Sequence, residues 1–205
     1  MKYHNTLDNI LGQKSKIRII RVLADSREEL TGREVARLAK LNPSIILISL
    51  HSLFRSGIVL MRKSGKAKLY KLNPESILVK EGLLPLFELE RSLIKKITIK
   101  IKKEIPEIIS IILFGSVAKA KEKEDSDIDL LIVLPNNADK GAIEKSIDDL
   151  SFDISRSFGN GISPVLLSAA ELKKRYKKND AFIKNIASEG LVLHGKTALE
   201  IIYES

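Results

Sequence analysis

Between residues 108 and 134 the chain reads as a short apolar run, a Gly-Ser pair, a charged stretch, an Asp-x-Asp pair and a second apolar run. No other segment constrains the fold as tightly. Ile108 to Phe114 and Leu130 to Leu134 are rich in Ile, Leu and Val. Each run is too short for a helix, so both are predicted to be buried strands. Gly115 and Ser116 close the first run, and ten residues later Asp127 and Asp129 open the second. Residues i and i+2 of a strand share a face, which places Asp127 and Asp129 side by side, roughly 7 Å apart along the strand. Adjacent carboxylates repel unless a proton or a cation lies between them, and hard divalent cations are bound by one or two carboxylates plus substrate phosphates. A glycine at the strand end lets backbone approach a ligand closely. If Ser116 opens a helix, its free N–H groups favour a phosphate there.

This stretch resembles the nucleotidyltransferase superfamily that includes DNA polymerase beta, most closely its minimal nucleotidyltransferase branch. The family pattern of Gly-Ser, ten residues and Asp-x-Asp is met by Gly115, Ser116, Asp127 and Asp129. The fuller pattern is met at Ala118, Ser126, Ile128 and Leu130, and is departed from at Lys119, usually Arg, and Ala120, usually Gly. The likeness is strong over residues 107–134 and looser to about residue 195. It implies that Gly115, Ser116 and Ser126 bind a nucleoside triphosphate, with Ser116 at a phosphate. It also implies that Asp127 and Asp129 are catalytic and hold Mg²⁺ or Mn²⁺ for an in-line displacement at the α-phosphorus. A third carboxylate normally stands on the next strand. Here that strand is predicted at Ile162 to Ser168 and holds no acid, with Ser163, Pro164 or Val165 where an Asp is expected. Asp153 and Glu171 are the nearest acids in sequence.

Net charge is +9 and unevenly spread: residues 1–105 carry 22 Lys+Arg against 10 Asp+Glu, and residues 106–205 carry 13 against 16. Such asymmetry points to a polyanionic partner for the N-terminal half. That half shows three helical patterns. They are Lys14 to Ala24, a second capped by Thr31 with Glu34 three residues on, and a third that follows Asn42-Pro43 and ends at Gly57. Two strands around Lys63-Ser-Gly-Lys66 come next. Three helices and a hairpin resemble a winged helix-turn-helix domain. The resemblance implies contact with double-stranded DNA, with Arg62, Lys63, Lys66 and Lys68 meeting phosphate. The outward positions of the third helix are Ser44, Ile45, Leu47, Ile48 and His51, mostly aliphatic where base-reading groups are expected. A helix this apolar is expected to pack on another domain or subunit.

From Leu86, beyond a break at Pro85, a helical stripe runs through Leu89 or Glu90, Leu93, Ile97 and Ile101 to Ile105. It reads as a connector helix, with a homodimer contact as its sharper reading. Asp139 to Phe158, Ala169 to Lys178 and Asn179 to Glu189 are predicted helices, and Gly190 to Gly195 a short strand. The expected class is α+β. It comprises a winged helix-turn-helix over 1–73, a connector over 74–105 and a nucleotidyltransferase-like domain with a small mixed sheet over 106–205. There is no cysteine, which excludes disulfides and zinc thiolate sites. No signal-like segment or membrane-length apolar run is evident, so a cytoplasmic protein without membrane contact is expected. Two functions follow. One is Mg²⁺-dependent transfer of a nucleoside monophosphate, AMP by resemblance, to a hydroxyl of a protein partner or small molecule. The alternative is a transcriptional regulator whose transferase-like domain senses nucleotide or holds a partner.

Overall fold

The computed structural model describes residues 6–123 and 126–204. It divides into two compact units, with the division between Arg91 and Ser92. In the first, α1 (Thr6–Leu11) and α2 (Lys14–Asp25) precede β1 (Leu30–Thr31), α3 (Gly32–Ala39) and α4 (Pro43–Arg55). The hairpin of β2 (Val59–Ser64) and β3 (Ala67–Leu72) follows, with β3 central in a β1-β3-β2 sheet. The capping signals act as expected. The Thr31 side chain accepts from Glu34 N–H while the Glu34 carboxylate accepts from Thr31 N–H, and the Asn42 side chain accepts from Ser44 N–H. Gly65 sits at the hairpin tip with φ of 57°, where an L side chain would be strained. Ile19, Ile20, Val35, Ile46, Leu50 and Tyr70 form the core of this unit.

The connector differs from expectation. Pro85 does not break the helical backbone: a π-helical turn over Leu78–Leu83 leads directly into α5 (Leu84–Glu104). The wider π turn accommodates a proline that cannot donate a backbone hydrogen bond. The apolar face therefore starts upstream, with Val79, Leu83 and Phe87 buried at four-residue spacing in the first core. Leu86 and Leu93, taken from sequence as the start of the stripe, are exposed. Ile97, Ile101 and Ile105 belong to the core of the second unit.

That unit holds β4 (Ser110–Leu113), α6 (Gly115–Ala118), β5 (Ile128–Leu134), α7 (Lys140–Phe158) and β6 (Ile162–Ser168). It continues with α8 (Ala169–Lys177), α9 (Ala181–Glu189), β7 (Leu191–Gly195) and α10 (Ala198–Tyr203). The sheet runs β6-β5-β4-β7, with β5 and β6 parallel across the α7 crossover and the other pairs antiparallel. Alternation along β5 splits its side chains. Leu130 and Ile132 pack with Ile101 of α5 and Ile147 and Leu150 of α7. Leu131 and Val133 pack with Leu172, Ile183 and Ile201 of α8, α9 and α10. Among the described residues no helix is long and apolar enough to cross a membrane.

Candidate nucleotide and metal site

β4 and β5 are antiparallel neighbours, with Leu113 opposite Leu130 and Phe114 N–H donating to the Asp129 carbonyl at 3.0 Å. Gly115 therefore leaves the sheet beside the start of β5. Its φ is 75°, and a Cβ built on it would lie 1.9 Å from Asp129 Oδ2. Glycine is required here both by conformation and by space. Ser116 lies in the first turn of α6, where backbone N–H groups have no intrahelical acceptor.

Asp127 stands just before the strand, because β5 begins at Ile128. Ile128 N–H donates to the Gly161 carbonyl at 2.9 Å, and a Cβ on Gly161 would lie 3.1 Å from Asp127 Oδ1. Two glycines thus leave room for two carboxylates. Asp129 is half-buried and shares the Leu131–Val133 face. Its pKa is raised, first by burial and then by the negative charge of Asp127. The charge of Asp127 acts on Asp129, and that repulsion is a cost that a cation would relieve. Ser126 holds the approach to this pair: its Oγ accepts from Lys123 N–H at 2.9 Å, and its carbonyl accepts from Asn160 Nδ2 at 2.9 Å.

Neither candidate third acid reaches the pair. Asp153 is an exposed residue of α7 and lies 3.4 Å from Lys100 Nζ, on the face of the sheet opposite Asp129. Glu171 belongs to α8, which follows the far end of β6, whereas Asp129 is level with Ser163 at its start. Five strand residues separate those ends, roughly 16 Å. Glu171 is also engaged elsewhere. A hydrogen bond from Lys140 and another from Ser168 N–H hold its carboxyl down at about 2. Among the described residues no group of three or more His, Cys, Asp or Glu could hold a metal ion.

Residues 95–198 match the family described as polymerase beta, nucleotidyltransferase, about half of the chain. The chain belongs to that family. It is also 38% identical over 68 residues to the "Putative protein adenylyltransferase" of Methanocaldococcus jannaschii, a match spanning 32% of this chain and 46% of that protein. The chain thus spans about half the length of this curated relative. Among solved structures, one titled as a toxin-antitoxin with AMP-PNP has 18% identity and a TM-score of 0.38, covering 53% of this chain and 80% of that one. The homodimeric winged helix-turn-helix domain of Mycobacterium bovis Mb0332 has 20% identity and a TM-score of 0.34, covering 44% and 76%.

The nucleotidyltransferase domain explains one departure from the family pattern. Ala120 has φ of 50°, the left-handed conformation that a glycine there would adopt without strain. Sequence reasoning missed Asn160 and Gly161, which read only as the end of α7. Their signal was the Gly-Asn-Gly run directly before a strand that pairs in parallel with the Asp-bearing one. In the N-terminal unit the four basic hairpin residues separate. Arg62 pairs with Glu29, while Lys63, Lys66 and Lys68 are exposed with no acidic partner among the described residues.

Proposed function

We propose that this protein transfers a nucleoside monophosphate, AMP in the first instance, from a nucleoside triphosphate to a hydroxyl of a protein or small molecule. Asp127 and Asp129 would hold Mg²⁺ or Mn²⁺. The observation that carries this reading is the seating of the Asp129 carboxylate against the bare Cα of Gly115, directly beside the first turn of α6. The first turn of α6 and the Asp129 carboxylate thereby lie at one end of one sheet, which supports a reading in which one meets phosphate and the other a cation. Two carboxylates with room made for them by Gly115 and Gly161 suit a hard divalent cation. Bound there, the metal would offset charge that develops on the phosphoryl oxygens.

The protein's own groups divide the remaining work. Ser116 and the N–H groups of its turn bind and orient the phosphates. Asn160 and Ser126 hold the approach to Asp127, and Gly161 leaves room for its carboxylate. Ser163 stands level with Asp129 where the family's third acid is expected, so β6 offers no carboxylate to activate the acceptor hydroxyl. Slow turnover follows. The name of the archaeal relative supports adenylyl as the transferred group. In the N-terminal unit, α4 carries aliphatic side chains where base-reading groups would stand, so specific duplex recognition is not part of this reading.

Titration calorimetry with a non-hydrolysable ATP analogue tests it. The parent protein should bind more tightly with Mg²⁺ than without. The combined Asp127→Ala, Asp129→Ala variant should lose that increment entirely, and equal binding by the two proteins refutes the reading. Transfer is followed separately with α-labelled ATP. Mg²⁺-dependent binding without any transfer would favour the nucleotide-sensing regulator instead.

A further inference from the structure

A cavity of about 690 Å³ opens between the start of α3, one flank of α4 and β3, lined among others by Gly32, Arg33, Leu47, Lys66, Lys68 and Tyr70. Its volume lies within the range of ligand-binding clefts. It belongs to the N-terminal unit and shares no residue with the nucleotide site.

Its floor is apolar. Gly32 keeps the cavity open above Leu47 and the edge of the Tyr70 ring: a Cβ there would meet Leu47 Cδ2 at 3.4 Å and Tyr70 Cε2 at 3.8 Å. The rim is cationic. Arg33, Lys66 and Lys68 have no acidic partner among the described residues, whereas Arg62 and Lys71, on the other face of the hairpin, share Glu29. Lys63 stands directly opposite Lys68 in the hairpin register. Like charges so placed repel, and an anion seated by them removes the repulsion. The apolar surface also continues past the cavity. Leu47 is 56% exposed, and Ile48 and Ile45 are 74% and 47% exposed. α4 holds no acidic residue and no Lys or Arg before Arg55.

We propose that this surface docks an apolar segment flanked by Asp or Glu on a partner protein, its apolar side chains in the cavity and its carboxylates at Arg33, Lys66 and Lys68. A DNA backbone would satisfy the cations but leave Ile45, Leu47 and Ile48 against base edges, where the thymine methyl is the main apolar contact. A small organic anion would fill the cavity and leave Ile48 in water. A short acidic, apolar segment covers both features, with apolar anchors in a cleft and charges at its rim.

The test is selection of short random peptides by display on the full-length protein. Enriched peptides should combine Leu, Ile or Phe with Asp or Glu. Their affinity should fall about tenfold or more in Lys66→Glu, Lys68→Glu and in Leu47→Ser. It should be unchanged in the Asp127→Ala, Asp129→Ala variant, so failure here is distinguishable from failure of the nucleotide reading. Circular dichroism melts show that each variant is folded. No enrichment, enrichment of peptides without acids, or affinity indifferent to the charge reversals overturns the proposal. So does duplex DNA binding that is lost in Leu47→Ser and Ile48→Ser, which would make this a nucleic-acid surface.

Discussion

Gly115→Ala changes one methyl group, and the geometry sets the size of its effect. With φ of 75° the position lies where an L residue costs about 1–2 kcal/mol. The added Cβ would also lie 1.9 Å from Asp129 Oδ2 and 2.8 Å from Cγ. Ordinary contact needs the carboxylate to retreat by roughly 1.5 Å. Overpacking of this kind typically costs a further ~1–3 kcal/mol. Summed, the loss is about 2–5 kcal/mol if Asp129 stays, and about 1–2 kcal/mol if it swings away and its carboxylate leaves the proposed cation position. Misplacing a catalytic group by about 1 Å costs on the order of 100-fold in rate. Urea denaturation measures the stability, and Mg²⁺-dependent nucleotide binding and transfer measure the site. The combined Gly115→Ala, Asp129→Ala variant separates the two contributions. Removing the carboxylate eliminates the closest contacts and leaves only Asp129 Cβ, 3.1 Å from the built atom. The double variant should therefore be no less stable than Gly115→Ala alone, although each substitution is disruptive singly. Gly115→Ala with parental stability and parental Mg²⁺-dependent binding would refute the reasoning.

Two further outcomes follow from the same site. The folded-state pKa of Asp129 is raised, by burial and then by Asp127. The folded protein therefore binds more protons than the unfolded chain, and stability falls as pH rises from the unfolded pKa through the folded one. Asp129→Asn should flatten that dependence, raise metal-free stability at neutral pH and abolish stabilisation by Mg²⁺, all read from melts across pH with and without the ion. Ala120→Gly should stabilise by about 0.5–1 kcal/mol in urea denaturation, because release of left-handed strain outweighs the added chain entropy. A destabilised variant would mean that the strain is absent.

Much of the fold can be read from local signals because their physics is local. Thr31 with Glu34, Asn42 with Pro43, and Gly159 each mark a helix end through hydrogen bonds within a few residues. α1, β1 and α10 carry little sequence signal because they are short, and β1 and α10 are also held by elements distant in sequence, β3 and α8. α5 was misread at its start because Pro85 signals a break, while the π turn that accommodates it has no sequence signature. At the site, the Gly-Ser and Asp-x-Asp spacing pointed to Gly115, Ser116, Asp127 and Asp129, yet strand alternation alone put Asp127 inside β5, and it lies one residue before it. Gly161 and Asn160 could not be joined to the acids without the β5–β6 register.

The order of residues alone determined the family, the pairing of a Gly-Ser bend with two acids, and the charge imbalance between the halves, since each depends on residue type and spacing. Only the tertiary structure decided that neither Asp153 nor Glu171 completes the acidic cluster. The reason is positional: one stands beyond the opposite face of the sheet and the other past its far end. Likewise, only folding disclosed a cation-rimmed hollow beside α4, because its walls come from segments that meet only when β3 closes against the two helices.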